Sequence, residues 1–199
     1  MLFCLIIKKI RFIFSLIIKK NEMLFCFLSL YIMAGFHTKT FMKHDDYMTP
    51  DHAWEDIKEY IPKVKIWEAF YGDGESGITL QSMGFDVIHE PIDFFDDDEL
   101  PEYDCIVSNP PYSDAKPIME RLAKLDKPFI LIMPSSKINT SYFRENFKNK
   151  GIQIIIPRKR IHFIKLVDGK TVKGKSVCNF DCFYYCYKMN LKRDIIWLE

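Results

Sequence analysis

The sequence predicts an α/β fold: a mostly parallel twisted sheet with helices on both faces and a C-terminal antiparallel hairpin. Three observations predict it. Short, predominantly apolar runs such as Phe129–Met133 and Ile152–Ile156, the second broken only by Gln153, recur, and runs of this kind belong to strands buried on both faces. Amphipathic helical patterns separate them, which favours parallel pairing through crossovers. The chain of 199 residues is 48% hydrophobic and 15% aromatic, enough for one substantial core. That composition excludes a disordered chain, and the length excludes a small disulfide-stapled scaffold.

Residues 1–41 form a hydrophobic and basic extension, distinct from the domain expected at 42–199. Its first apolar run stops at Lys8 and Lys9, and Arg11 interrupts the next. The run Met23–Phe36 is shorter than the roughly 20 residues that span a bilayer, and no cleavage signal follows it. A membrane anchor within 1–36 is the alternative. The expectation is a dispensable segment or a start placed too far upstream, with Met33, Met42 and Met48 as in-frame candidates.

The organised pattern begins near Tyr47. Asp51 can cap a helix through about Tyr60, with Ala53, Trp54, Ile57 and Ile61 on one face and Pro62 ending it. Lys65–Phe70 is a short strand that feeds the glycine turn Gly72–Gly77. A helix from Ser76 to Met83 stops at Gly84. Asp86–His89 and Tyr103–Ser108 are the next strands, the second closed by Asn109-Pro110-Pro111-Tyr112. Asp114–Leu125 is helical, Phe129–Met133 a buried strand, Tyr142–Lys148 a helix and Ile152–Ile156 another buried strand. The style then changes. Ile161–Val167, a turn at Asp168-Gly169, basic Lys170–Lys175 and the aromatic strand Val177–Tyr187 suggest a hairpin (158–177 in all) closing the sheet.

Cys178, Cys182 and Cys186 recur every fourth residue on that last strand. They share a face but spread over about 26 Å, too far to hold one ion. They read as core thiols in a reducing cytoplasm, and no metal is expected. The five histidines, His37, His44, His52, His89 and His162, read as surface or packing residues. A net charge of +1 conceals −15 over residues 45–126 and +10 over 127–199. A basic third on an acidic body fits a polyanionic partner, and equally a solvated surface.

Two motifs carry chemistry. Gly72–Gly77 follows a strand and opens a helix, where glycines let the backbone approach a ligand and free N–H groups favour polar or anionic atoms. Glu90, near the end of the next strand, suits hydrogen bonding to ribose hydroxyls. This much fits a nicotinamide dinucleotide or another nucleoside cofactor. Asn109-Pro110-Pro111-Tyr112 separates the two. Its prolines fix the backbone, and the Asn109 amide oxygen and the Pro110 carbonyl can accept both N–H bonds of one exocyclic amine. Two acceptors let that nitrogen pyramidalise and aim its lone pair at an electrophile. Tyr112 can stack on the ring that carries the amine, a contact worth about 1–3 kcal/mol.

Over roughly Tyr47–Tyr187 the chain resembles the S-adenosylmethionine-dependent amino-methyltransferases, in particular the N6-adenine nucleic-acid enzymes with the Asn-Pro-Pro-Tyr motif. The resemblance implies a Rossmann-like methyltransferase fold, S-adenosyl-L-methionine as cofactor and catalysis at Asn109, Pro110, Pro111 and Tyr112. It implies cofactor contacts from Tyr47, Thr49 and Pro50, and from Glu68, Ala69, Phe70, Gly72 and Gly74 in the glycine turn. Glu90, Asp93 and Phe94 would hold its ribose and adenine, and Phe163 would lie against the target base. Glu90 and Asp93 are only three residues apart, closer than is usual in the family, and no segment is large enough for a separate target-recognition domain.

Arg158, Lys159 and Arg160 precede Phe163, and Lys170, Lys173 and Lys175 follow the turn, so the hairpin fits phosphate contacts beside a base pocket. The partner expected is nucleic acid, DNA before RNA, for a cytoplasmic monomer. RNA adenine, a protein glutamine amide and a non-catalytic nucleic-acid-binding module are the alternatives.

Overall fold

The computed structural model describes residues 47–98, 100–167, 170–171 and 180–199. Strand β1 (Tyr47–Met48) leads into α1 (Asp51–Glu55), and a 3-10 turn (Lys58–Tyr60) follows. This helix is shorter than the sequence suggests. Asp51 is its first residue, and its carboxylate accepts the Thr79 hydroxyl at 2.7 Å instead of capping its own helix. At Ile57 the backbone leaves helical geometry (φ −111°, ψ 11°).

The chain continues through β2 (Lys65–Trp67), α2 (Glu75–Ser82), β3 (Asp86–Ile88), β4 (Cys105–Ser108), α3 (Ala115–Leu125), β5 (Phe129–Pro134), α4 (Ser141–Phe147) and β6 (Gln153–Ile156). It ends with β7 (Ile164–Val167), β8 (Lys170–Thr171), β9 (Cys182–Tyr187) and β10 (Ile195–Trp197). Seven strands form one sheet in the order β10-β6-β9-β5-β4-β2-β3. All neighbours run parallel except β9, which lies antiparallel between β5 and β6. This is an α/β fold with a mostly parallel sheet, as expected.

The hairpin departs from expectation. β7 does pair with β8, but its other edge takes β1, giving a separate three-stranded sheet. The aromatic strand that joins the main sheet is β9, which is inserted between β5 and β6 and whose aromatic side chains are mostly buried. Its Cys182 and Cys186 lie in the same core, as their spacing predicts, while Cys178 is outside the described residues. β10 escapes the sequence reading because three residues after a charged run show no period.

The two faces of the sheet bury different sets of side chains. Ala53, Trp54 and Ile57 of the α1 region and Leu80 of α2 pack on Ile66, Val107, Ile130 and Tyr184. Ile118, Met119 and Leu122 of α3 with Phe143 and Phe147 of α4 pack on Trp67, Ile106, Phe129, Leu131 and Tyr185. Burying a side chain of this size stabilises the fold by about 1.5–3 kcal/mol. These strands therefore hold their carboxyl ends in fixed register. β2 pairs with β3 on one side and β4 on the other, so the crossover direction reverses there. In open α/β sheets ligands bind at the carboxyl ends beside such a reversal. Among the described residues no helix is long and apolar enough to cross a membrane.

Candidate active site at the reversal between β2 and β4

Both motifs lie at this reversal, the glycine turn after β2 and the Asn-Pro-Pro-Tyr corner after β4. The Asn109 amide is held at both ends. Its Nδ2 donates to the Tyr47 carbonyl at 3.3 Å, and its Oδ1 accepts the Tyr112 hydroxyl at 2.8 Å. That pairing orients the amide and leaves Oδ1 the capacity for a second hydrogen bond. Pro110 is buried, and Pro111 is extended (φ −63°, ψ 125°), so the corner is rigid.

Tyr112 has a different setting from the one its sequence context suggests. Its ring is 8% exposed and meets Phe163 and Phe180 edge-on, with centroids 6.2 and 5.6 Å away. Phe163 is itself buried, 6.0 Å from the Tyr47 ring. An aromatic cluster of Tyr47, Tyr112, Phe163 and Phe180 thus braces Asn109 from one side.

A polar relay braces it from the other. The Phe70 N–H donates to Ser108 Oγ at 3.2 Å, and the Ser108 hydroxyl donates to Glu68 Oε1. Ser108 immediately precedes Asn109, so the relay ties the cofactor-type turn to the corner. Glu68 is 1% exposed, and burial pushes its carboxyl up to about 7 while the Ser108 hydrogen bond pulls it partly back.

The glycine turn is built for close approach. Gly74 sits at φ +86°, and a Cβ there would meet the Tyr71 ring at 3.0–3.1 Å. A Cβ on Gly77 would run into His89, whose ring stacks on Tyr71 with centroids 5.8 Å apart. Met48 Sδ lies 3.5 Å from the Cβ position of Gly72, which brings β1 against the turn. Two buried polar atoms here, Thr49 Oγ1 and Glu68 Oε2, have no hydrogen-bond partner among the described residues. Buried polar groups are normally satisfied, so this cradle fits a polar ligand such as the methionine and ribose portions of S-adenosylmethionine.

The remaining sequence candidates fall into three groups. Ala69 is buried beneath the turn and Pro50 beside α1, while Glu90 is exposed just beyond β3. Asp93 accepts the Phe95 N–H at 2.9 Å, Phe94 is buried against Phe70 at 4.8 Å, and Phe95 is the ring that stays 43% exposed. Arg158, Lys159 and Arg160 follow β6, three strands away from β4. Lys173 and Lys175 lie outside the described residues, and Lys170 is described only by its place in β8. Sequence reasoning missed Ser108 and Tyr71. A polar residue closing an otherwise apolar strand was the signal for the first. Burial pushes the Cys105 thiol up to about 12 and raises that of Cys186 as well, which makes both poor nucleophiles.

No protein-family model matches the chain, and no curated protein matches it. Solved structures with some likeness include a precorrin-6y C5,15-methyltransferase from Geobacter metallireducens GS-15, at 9% identity and a TM-score of 0.40 over 74% of this chain and 98% of that one. A putative methyltransferase from Thermoplasma acidophilum gives 14% identity and 0.37 over 68% and 72%. A putative class I S-adenosylmethionine-dependent methyltransferase from Listeria monocytogenes gives 13% and 0.38 over 85% and 70%.

Proposed function

We propose that this chain is an S-adenosylmethionine-dependent methyltransferase acting on the exocyclic N6 amine of adenine in nucleic acid, DNA before RNA. The observation that supports it is the Asn109 corner, oriented at both ends of its amide and tied through Ser108 to the glycine turn. When bound, the cofactor supplies a methyl group already activated on a sulfonium. The chain's own work is then to bind, orient and exclude water. Thr49, Glu68, Gly72 and Gly74 line the cradle, and Tyr47 of β1 and Pro50 just before α1 close it. Glu90 and Asp93 are suited to the ribose and adenine end.

Asn109 Oδ1 and the Pro110 carbonyl accept the two N–H bonds of the target amine and hold its lone pair in line, which removes much of the entropic barrier. Tyr112 acts through Asn109 by fixing the amide. No general base is needed before attack, because the nitrogen's acidity rises sharply once it is methylated. An adenine within a duplex is first extruded, at a cost of a few kcal/mol.

The test is incubation with labelled S-adenosylmethionine and, in separate arms, DNA, RNA and protein, followed by mass spectrometry of the products. N6-methyladenine in DNA is the expected product. Label on glutamine amides, or on none of the three, overturns the reading. Asn109→Ala is expected to lower transfer by at least about 100-fold while cofactor affinity changes less than about threefold.

A further inference from the structure

β3, β2, β4, β5, β6 and β10 all run in one direction, so their carboxyl ends line a single rim of the sheet. The Asn109 corner occupies that rim at β4. At neighbouring-strand spacings of about 4.8 Å, β6 lies about 14 Å along it and β10 about 19 Å. There an open groove of about 720 Å³ is lined by Arg158, Lys159 and His162 after β6, by Asp56 and Glu59 from the α1 region, and by Trp197 at the end of β10.

Trp197 is the informative residue. Trp54 and Trp67 are wholly buried, whereas Trp197 is 71% exposed, and Ile195 on the same face of β10 is 54% exposed. An indole left open beside two cationic side chains offers a π-face next to phosphate-binding groups. The groove also carries acidic side chains, Asp56, Glu59 and Glu199. Asp56 and Glu59 would repel a bare phosphate or a lipid headgroup but can accept hydrogen bonds from the amino and imino groups of a base. A nucleotide is the ligand that uses all three features. The ion pair of Arg160 with Asp181 at 2.7 Å fixes the segment that carries the cations.

We propose that this groove seats a nucleotide flanking the target in single-stranded or locally opened nucleic acid, its base stacked on Trp197 and its phosphate against Arg158 and Lys159. The proposal rests on the reading of the Asn109 corner as the methyl-acceptor site. At a rise of about 3.4 Å per nucleotide, the two sites lie about four to six nucleotides apart. The groove therefore adds affinity only for strands long enough to reach it.

The experiment uses the full chain, a single-stranded DNA 12-mer with one terminal-half adenine, and a 3-mer centred on adenine. The 12-mer is expected to quench tryptophan emission, which in this protein comes from one exposed and two buried indoles. Trp197→Ala should weaken 12-mer binding about tenfold and leave the 3-mer unchanged, while Trp197→Phe restores most of the loss. Replacing Arg158 and Lys159 by Gln should lower the slope of log Kd against log salt by about 0.7, the share of the one phosphate they hold. A 12-mer that binds without quenching, with Kd unmoved by Trp197→Ala in a protein of unchanged Tm, overturns the groove even if methyl transfer is normal. Quenching and the Trp197 effect without any transfer support the groove as a nucleotide seat and count against the corner instead.

Discussion

At Asn109 a single amide has three calls on it, and two are met within the protein. The Tyr112 hydroxyl holds the oxygen in place, and its net contribution is that of one hydrogen bond, about 1 kcal/mol. Tyr112→Phe should therefore lower transfer about five- to tenfold at unchanged cofactor affinity. Tyr112→Ala, which also opens the cluster with Phe163 and Phe180, should cost far more. Full activity in Tyr112→Phe would show that the ring, not the hydroxyl, is what matters. Glu68 makes a second residue-scale prediction. Its carboxyl moves from an ordinary 4.5 when unfolded to about 7 when folded. The native state thus holds a proton that the unfolded chain releases. The associated stability is fully present below about pH 4.5, is lost as pH rises to about 7, and does not change further above that. The limiting slope for one group is about 1.4 kcal/mol per pH unit. Urea midpoints measured from pH 5 to 8 should fall in the native protein and fall less in Glu68→Gln. Parallel profiles for the two proteins would refute the assignment.

The element that most constrains the site is α2. Its Gly77 presses on the loop after β3, with the His89 ring where a methyl group would go, and His89 in turn stacks on Tyr71 of the glycine turn. Helix propensity alone favours Gly77→Ala by about 0.5–1 kcal/mol. The collision reverses that sign, and a net loss of about 1–3 kcal/mol in unfolding free energy is expected. Trimming the ring in Gly77→Ala/His89→Ala should recover most of it, and a single mutant as stable as the parent would mean that the helix moves freely against the loop. Elements of this kind were legible in the sequence because their signals are local. Gly84 marks the end of α2, and apolar runs mark β5 and most of β6, whereas Pro62 lies well beyond the point at which α1 ends. The corner after β4 was legible too, since two prolines behind a buried strand leave the backbone few alternatives. What sequence did not reveal depends on partners distant in the chain. Tyr112 faces Phe163 and Phe180 rather than an open pocket, β7 takes β1 as its neighbour, and β10 is too short to show a period.

At the scale of the molecule, the described residues all belong to the second of the two units into which the chain divides, residues 40–199. The second contains every strand of the seven-stranded sheet, both side-chain cores, and all the residues that meet at the reversal between β2 and β4. A sheet covered on both faces by its own helices already buries the apolar surface that stabilises it. The site within that unit is closed by contacts such as Asn109 with Tyr47 and Met48 with Gly72, whose members all lie at or beyond residue 47. Deleting residues 1–41 is therefore expected to leave Tm within about 2 °C and methyl transfer within twofold. The boundary is sharper than the deletion alone suggests. Removing residues 1–50 also takes β1, with the carbonyl that holds Asn109 Nδ2 and the methionine packed on the glycine turn. That longer truncation should abolish transfer and lower Tm by several degrees, whereas a matching loss in the shorter one would show that the extension contributes to the domain's packing.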